Sequence, residues 1–298
     1  MNEAAGASSA SPSAFDRLLG EIRPKLHRYC SRMTGSVTDG EDIVQDALIK
    51  AIEAFPAAGQ MVNSEAWLFR IARNVSLDYL RRRARLALVH SDQDPDTIID
   101  PVLVTQDREI AAAGLRTFMR LPVAQRSSVI LMDVLGYSLE EIGSVMGATV
   151  PSVKAALHRG RARLRELSME PADARVPMLT ARQRRLLRAY VDLFNARNVD
   201  GVRAMLGEEV RLDLVARHKV AGKTDVSKYL GIYRKLRDWR FAPGFVDGRT
   251  AALVCDPANP LGEPIYFVVL DWNTDGLISI RDFRYARYAI DGAEMTVL

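Results

Sequence analysis

Cysteine is nearly absent from this 298-residue chain: only Cys30 and Cys255 occur, far apart in sequence. Two such residues give no disulfide framework and no ligand spacing for a structural zinc, so no metal is expected. Long hydrophobic runs are also missing. No window approaches the ~20 apolar residues a membrane span requires, which excludes a membrane-spanning helix. A large net charge is missing too. The balance is +4, so affinity for nucleic acid has to come from local clusters rather than bulk charge. Residues 1–14, MNEAAGASSASPSA, have no apolar segment and read as a disordered tail rather than a signal peptide, so a cytoplasmic protein is expected. What remains is ordinary for a globular chain, at 48% hydrophobic and 26% charged residues, with length for two or three domains.

The basic clusters are 81-RRRAR-85, 159-RGRARLR-165 and 182-RQRRLLR-188. The middle one belongs to 148-ATVPSVKAALHRGRARLREL-167, which reads as one helix. Val150, Val153, Leu157, Leu164 and Leu167 form an apolar stripe, with small Gly160 filling the gap. Thr149 is a plausible N-cap and Pro151 is tolerated in a first turn. Just upstream, Ser138 and Glu141 have capping-box spacing, and Leu139, Ile142, Val145 and Met146 share one face. A short helix, a Gly-bearing turn and a basic helix are the parts of a helix-turn-helix. In that motif Ser152, Lys154, Ala155, His158 and Arg159 lie near base edges or phosphates, and Arg161 and Arg163 near phosphates. The bland alternative is a solvated cationic face.

Residues 15–87 read as almost wholly helical. In 41-EDIVQDALIKAIEAF-55 the apolar face is Ile43, Val44, Ala47, Leu48, Ala51, Ile52 and Phe55, opposite Glu41, Asp42, Gln45, Asp46, Lys50 and Glu53. A second helix over 65–85 places Trp67, Arg70, Asn74, Asp78 and Arg81 on one side. Residues 88–107 carry prolines and aspartates with no lysine or arginine from 91 to 107, and mark an acidic linker. Residues 108–168 are helical and end in the helix-turn-helix at 138–165. After a second linker, 169–178, helices near 179–196, 199–206 and 223–236 alternate with, and then give way to, strands. The strands fall near 208–216, 239–246, 250–256, 264–272 and 277–287, the last two joined by the hairpin signal 273-NTDG-276. This order predicts an α+β domain over 179–298 with a curved antiparallel sheet.

The patterns 41-EDIVQDALIKAI-52 and 66-AWLFRIARNVSLDYLRRR-83, followed by the helix-turn-helix, resemble a group 4, extracytoplasmic-function (ECF) sigma factor of bacterial RNA polymerase. The first two stretches are similar to sigma region 2 and residues 108–168 to region 4. The C-terminal part resembles the SnoaL-like branch of the NTF2-like fold. The resemblance therefore implies a multidomain chain: two all-α domains, then a cone-shaped α+β domain. It implies RNA polymerase core enzyme and promoter DNA as partners, with no cofactor and no catalytic residues. By resemblance, Asp42, Gln45 and Asp46 contact the polymerase clamp helices, and Trp67, Arg70, Asn74 and Arg81 face the −10 element. The loop 56–64 then cups a flipped base with Met61, Asn63 and backbone groups. Asp92, Asp94, Asp96 and Asp100 in the linker mimic nucleic-acid charge inside polymerase. Family members often carry arginine where this chain has Ala156, which implies fewer phosphate contacts to the −35 element.

The last domain is less defined. Asp213 and His218 are candidates for a proton-transfer pair, and Tyr190, Phe194, Tyr233 and Trp239 for the lining of a pocket that takes a small molecule. Aromatics at such positions are more often core. The resemblance instead favours regulation of the sigma factor in cis. Two other functions remain open on the residues alone: a ligand-responsive helix-turn-helix regulator, and an NTF2-like enzyme with a DNA-binding appendage.

Overall fold

The computed structural model describes residues 12–58, 63–88, 114–169, 179–234, 239–260 and 262–298. The chain forms two compact units, Met1–Asp173 and Ala174–Leu298. Met61, the linker aspartates 92–100 and residues 170–178 lie outside the described residues.

The first unit opens with α1 (Pro12–Thr34), α2 (Val37–Ala54) and α3 (Ser64–Leu88). Ser36 caps α2 by accepting the Asp39 N–H at 3.3 Å. Ile43, Val44, Ala47, Leu48 and Ala51 bury the expected face of α2. Two expectations for this helix need correction. Ile52 is 53% exposed, because at 100° per residue it falls about 40° outside the buried arc. Glu41, expected on the solvated face, is 2% exposed and pairs closely with Arg23 of α1.

The unit continues with α4 (Leu115–Met119), α5 (Val123–Val129), a π-helical turn (Ile130–Val134), α6 (Leu139–Met146) and α7 (Val150–Ser168). Both halves share one apolar core, in which Leu26, Tyr29 and Phe69 join Phe118, Leu131, Ile142 and Leu157. Buried polar bonds cross between them. The Tyr29 and Ser127 hydroxyls meet at 2.8 Å. The Arg126 guanidinium donates to the carbonyls of Met33 (2.7 Å), Met119 (2.9 Å) and Leu121 (3.0 Å). Burial weakens its hold on the proton and brings its pKa down to about 10. Charge-assisted bonds to three carbonyls satisfy backbone groups that no helix ladder reaches.

The second unit places α8 (Ala181–Asn195), α9 (Val199–Ala204) and α10 (Lys223–Leu230) with a seven-stranded sheet. Its strands are β1 (Leu206–Leu214), β2 (His218–Ala221), β3 (Arg240–Val246), β4 (Arg249–Cys255), β5 (Tyr266–Trp272), β6 (Leu277–Asp282) and β7 (Met295–Val297). Their order is β2-β1-β6-β5-β4-β3-β7. The unit is α+β as expected, but the sheet is not wholly antiparallel, because β1 and β6 run parallel. The long connection through α10 and β3–β5 allows that pairing, which a tight turn forbids. Edge strands β2 and β7, of 4 and 3 residues, are too short for alternation to reveal. The β5–β6 hairpin closes as its sequence demands. The Asn273 side chain accepts the N–H groups of Asp275 (2.8 Å) and Gly276 (3.2 Å), and Gly276 takes φ +136°.

Candidate nucleic-acid interface

The helix-turn-helix is built from its caps inward. Ser138 Oγ accepts the Glu141 N–H at 3.3 Å, and the Glu141 carboxylate accepts the Ser138 N–H at 2.8 Å. The Ser138 N–H and the Ser138 hydroxyl, both donating to the carboxylate at 2.8 Å, hold the Glu141 carboxyl below the usual range. Gly147 ends α6 in the left-handed conformation, φ +64°. Thr149 then caps α7 through the Ser152 N–H. Val153, Leu157, Leu164 and Leu167 are buried, each stabilising the unit by roughly 1.5–3 kcal/mol. A Cβ on Gly160 would stand 2.8 Å from Val129 Cγ2 and 3.3 Å from Gln125 Cβ. Glycine is what lets α7 lie this close to α5.

This burial leaves Ser152, Lys154, Ala155, His158 and Arg159 exposed together on the opposite half of α7. Arg161 and Arg163 are placed differently. The Arg161 guanidinium grips Asp133 of the π turn, with Nε 3.0 Å from Oδ2, and Arg163 pairs with Glu166 at 2.9 Å. Ala156 is buried, 5% exposed, on the core side. The expected loss of a phosphate contact there does not hold, since this position faces away from the basic surface.

On α3, Asn63 caps the helix by accepting the Ala66 N–H at 2.8 Å. Trp67 is half-buried against the core, its ring 6.4 Å from that of Phe15. Asn74 is exposed, and Arg81 lies 3.3 Å from Asp78. Arg70 has a partner in the other half of the unit: it donates to the Ser144 carbonyl of α6 at 2.8 Å. Beside it the Glu65 carboxylate accepts the Lys25 ammonium at 2.8 Å and, closely, the Tyr137 hydroxyl. Burial pushes the Glu65 carboxyl up, but those two donors outweigh it and hold it below its usual range. Asp42 and Asp46 of α2 are exposed and Gln45 half-buried, with Ile49 exposed beside them. A groove of about 550 Å³ between α2 and α3 brings Asp46 and Ile49 opposite Arg81 and Arg85. Sequence reading missed Arg126, Glu65 and Tyr137. Glu65 reads as a first-turn acid favoured by the helix dipole, and nothing local marks the other two.

In the second unit the pocket candidates are buried together. Tyr190, Phe194, Tyr233 and Trp239 are at most 4% exposed. Phe194 sits at ring distances of 4.8, 5.8 and 5.7 Å from Tyr190, Tyr233 and Trp239. They are the core where the helices meet the sheet. Asp213 stands 3.7 Å from Lys219 and 3.6 Å from Arg281, while His218 is exposed and edge-on to Tyr229. The buried carboxylate is Asp282, which sequence reading missed because a charged residue ending a strand reads as solvated. It accepts the Tyr233 hydroxyl closely and the Arg284 N–H at 2.8 Å. Burial raises its pKa against those bonds. Among the described residues no group of three or more His, Cys, Asp or Glu is placed to hold a metal ion. No described helix is long and apolar enough to cross a membrane.

With two helical halves, one ending in a capped helix-turn-helix, comparison with known proteins is direct. The Sigma-70 region 2 family model matches residues 18–86, and the Sigma-70, region 4 model matches residues 115–164. The ECF RNA polymerase sigma factor SigE of Mycolicibacterium smegmatis is 32% identical over 168 residues, covering 55% of this chain and 65% of that protein. SigM of Mycobacterium tuberculosis is 34% identical over 158 residues, covering 52% of this chain and 76% of that protein. The crystal structure of the extracytoplasmic function sigma factor SigJ of Mycobacterium tuberculosis aligns over 90% of this chain and 95% of that one. Its identity is 18% and its TM-score 0.35. The chain belongs to the ECF RNA polymerase sigma factor family.

Proposed function

We propose that this chain directs RNA polymerase core enzyme to promoters, reading the −35 element with α7 and the −10 element with α3. One observation carries the reading: Ser152, Lys154, Ala155, His158 and Arg159 stand exposed together on a helix whose other face is locked in a capped helix-turn-helix. Lys154 and Arg159 supply charge and donors for base edges or phosphates. Arg161, held by Asp133 of the π turn, serves chiefly to fix α7, and Arg163 is already paired with Glu166 one turn along the same helix. On α3, Asn74 and Arg81 are open to DNA, whereas Arg70 must release Ser144 before it can neutralise a phosphate. Asp42, Gln45 and Asp46, with exposed Ile49 alongside, form the surface for polymerase. Asn63 acts as a helix cap that shapes the loop before α3. The Ala174–Leu298 unit regulates the sigma factor in cis. That role needs no ligand.

Permanganate footprinting of the complex with core polymerase tests the assignment. Trp67→Ala with Asn74→Ala should leave polymerase binding intact and reduce thymine reactivity around the start site. A base stacked on an aromatic is worth about 1–3 kcal/mol. Unchanged reactivity would remove α3 from promoter opening.

A further inference from the structure

The sigma-factor assignment leaves one charged surface without a role. Between Ala174 and Val191 the chain carries five arginines and no acidic residue. The unit that holds this stretch has 20 Lys and Arg against 15 Asp and Glu, a net of +5. The unit containing the helix-turn-helix has 21 against 22, a net of −1. The second unit therefore carries a positive excess of its own, outside the two regions that match sigma factors.

Helix α8 concentrates that charge on one side. Leu187, Tyr190, Val191 and Phe194 are buried. Arg184, Arg185 and Arg188 project from the other side and are exposed, within an arc of about 100° at 100° per residue. Other cations of the unit are engaged by carboxylates: Arg203 and Arg234 by Asp200, Lys223 by Glu208, and Lys228 by Asp225. Among the described residues no ion pair within 4 Å engages Arg184, Arg185 or Arg188, and the one acid of α8, exposed Asp192, stands one turn beyond Arg188 at the end of the stripe. The capping box of α8 uses Gln183, so the first turn carries no acid and the positive end of the helix dipole adds to the field. Exposed Ala181 and Ala189 flank Arg185 on its stripe, so no long neighbouring side chain covers its guanidinium along the helix. The three exposed cations of this stripe are arginines, whose planar forks suit phosphate oxygens.

We infer that Arg184, Arg185 and Arg188 of α8 form a sequence-independent contact to the phosphate backbone of duplex DNA. This is a third DNA contact, added to those of α3 and α7. It rests on the sigma-factor reading only for which duplex is bound. A backbone contact has a signature that a solvated surface lacks, because each neutralised phosphate releases counterions and steepens the salt dependence of binding.

The test measures full-chain binding to promoter and to unrelated duplex, without polymerase, between 50 and 200 mM salt. The variant replaces all three arginines: Arg184→Ala, Arg185→Ala and Arg188→Ala. Losing three contacts lowers the log–log salt slope by about 2.7, so the native chain should lose about 40-fold more affinity than the variant across that range. The change should be the same on both duplexes. Lysine at the three positions should retain the slope, and Ala at the paired Lys219, Lys223 and Lys228 should leave it unchanged. Equal slopes for the native chain and the Ala variant overturn the inference, as does a loss confined to promoter sequence. Tighter DNA binding by the Ala variant also overturns it, pointing to an acidic segment of the chain as the partner instead. Because polymerase is absent, failure here leaves the transcription reading untouched.

Discussion

The outward half of α7 and the aromatic cluster of the second unit were both candidate sites in the sequence, and the structure treats them in opposite ways. On α7 the named residues stand in solvent because the helix buries a complementary stripe. In the second unit the named aromatics are themselves what is buried. A helix with 3.6 residues per turn states which side is free as soon as its apolar side is known. An aromatic in an α+β domain carries no such sign, since the same ring can fill a core or line a cavity.

Stability separates the two most sharply. Trp239→Ala should cost about 3–5 kcal/mol, read as accelerated hydrogen exchange of the β4 and β5 amides. Lys154→Ala and Arg159→Ala should change stability by no more than about 0.5 kcal/mol. A Trp239→Ala protein as protected as the native one would mean that the ring borders open space, and the pocket would return.

The next effect concerns Asp282. Tyr233→Phe removes a hydroxyl that the buried carboxylate accepts, and should destabilise the unit by about 1–3 kcal/mol. The sign with pH is fixed by the raised pKa. The folded state holds this proton to higher pH than the unfolded chain. Stability from this group is therefore greatest below the unfolded value and falls as pH rises through the folded one. Tyr233→Phe should steepen that fall in urea titrations taken at several pH values; a flatter profile would count against a buried, ionisable Asp282.

Binding sharpens the contrast within α7 itself. Lys154→Ala or Arg159→Ala should weaken promoter binding by about 1–3 kcal/mol if the contact is to a base edge. Arg161→Ala should act mainly on folding, because its guanidinium is already on Asp133. Equal binding losses at all three positions would show that the Asp133 pair opens on DNA.

The smallest effect tests the join between α3 and α6. Glu65 has a depressed pKa, so its stabilisation is present above the usual glutamate value and is lost as pH falls through the folded one. The site is partly exposed, and the contribution should be under about 1 kcal/mol. Glu65→Gln should raise hydrogen exchange in α6 at neutral pH and lose that difference in acid.

How much was legible follows the same division. The caps Ser138, Glu141 and Thr149, the turn at Gly147 and the hairpin at Asn273–Gly276 were readable because each obeys a local rule. So was Gly160, whose smallness fits a gap in a periodic stripe. Arg126 was not readable, since its partners Met33 and Met119 are set by tertiary packing and its own helix gives no hint of burial. Arg70 was placed toward the −10 element by resemblance, and the periodicity of α3 cannot tell that α6 arrives on that side. Ala156 was misplaced for the converse reason: a family pattern was carried over without asking which way the position points. The parallel β1–β6 pair escaped notice because strand direction depends on a connection that no local signal records.

The central claim is that this chain makes polymerase start transcription, beyond merely binding DNA. Run-off transcription with purified core polymerase and a pool of bacterial genomic fragments tests it directly. The expected result is discrete transcripts only when chain and polymerase are both present, lost with Lys154→Ala and Arg159→Ala together. Binding to DNA by the chain alone, with no transcript from any fragment when polymerase is added, would contradict it.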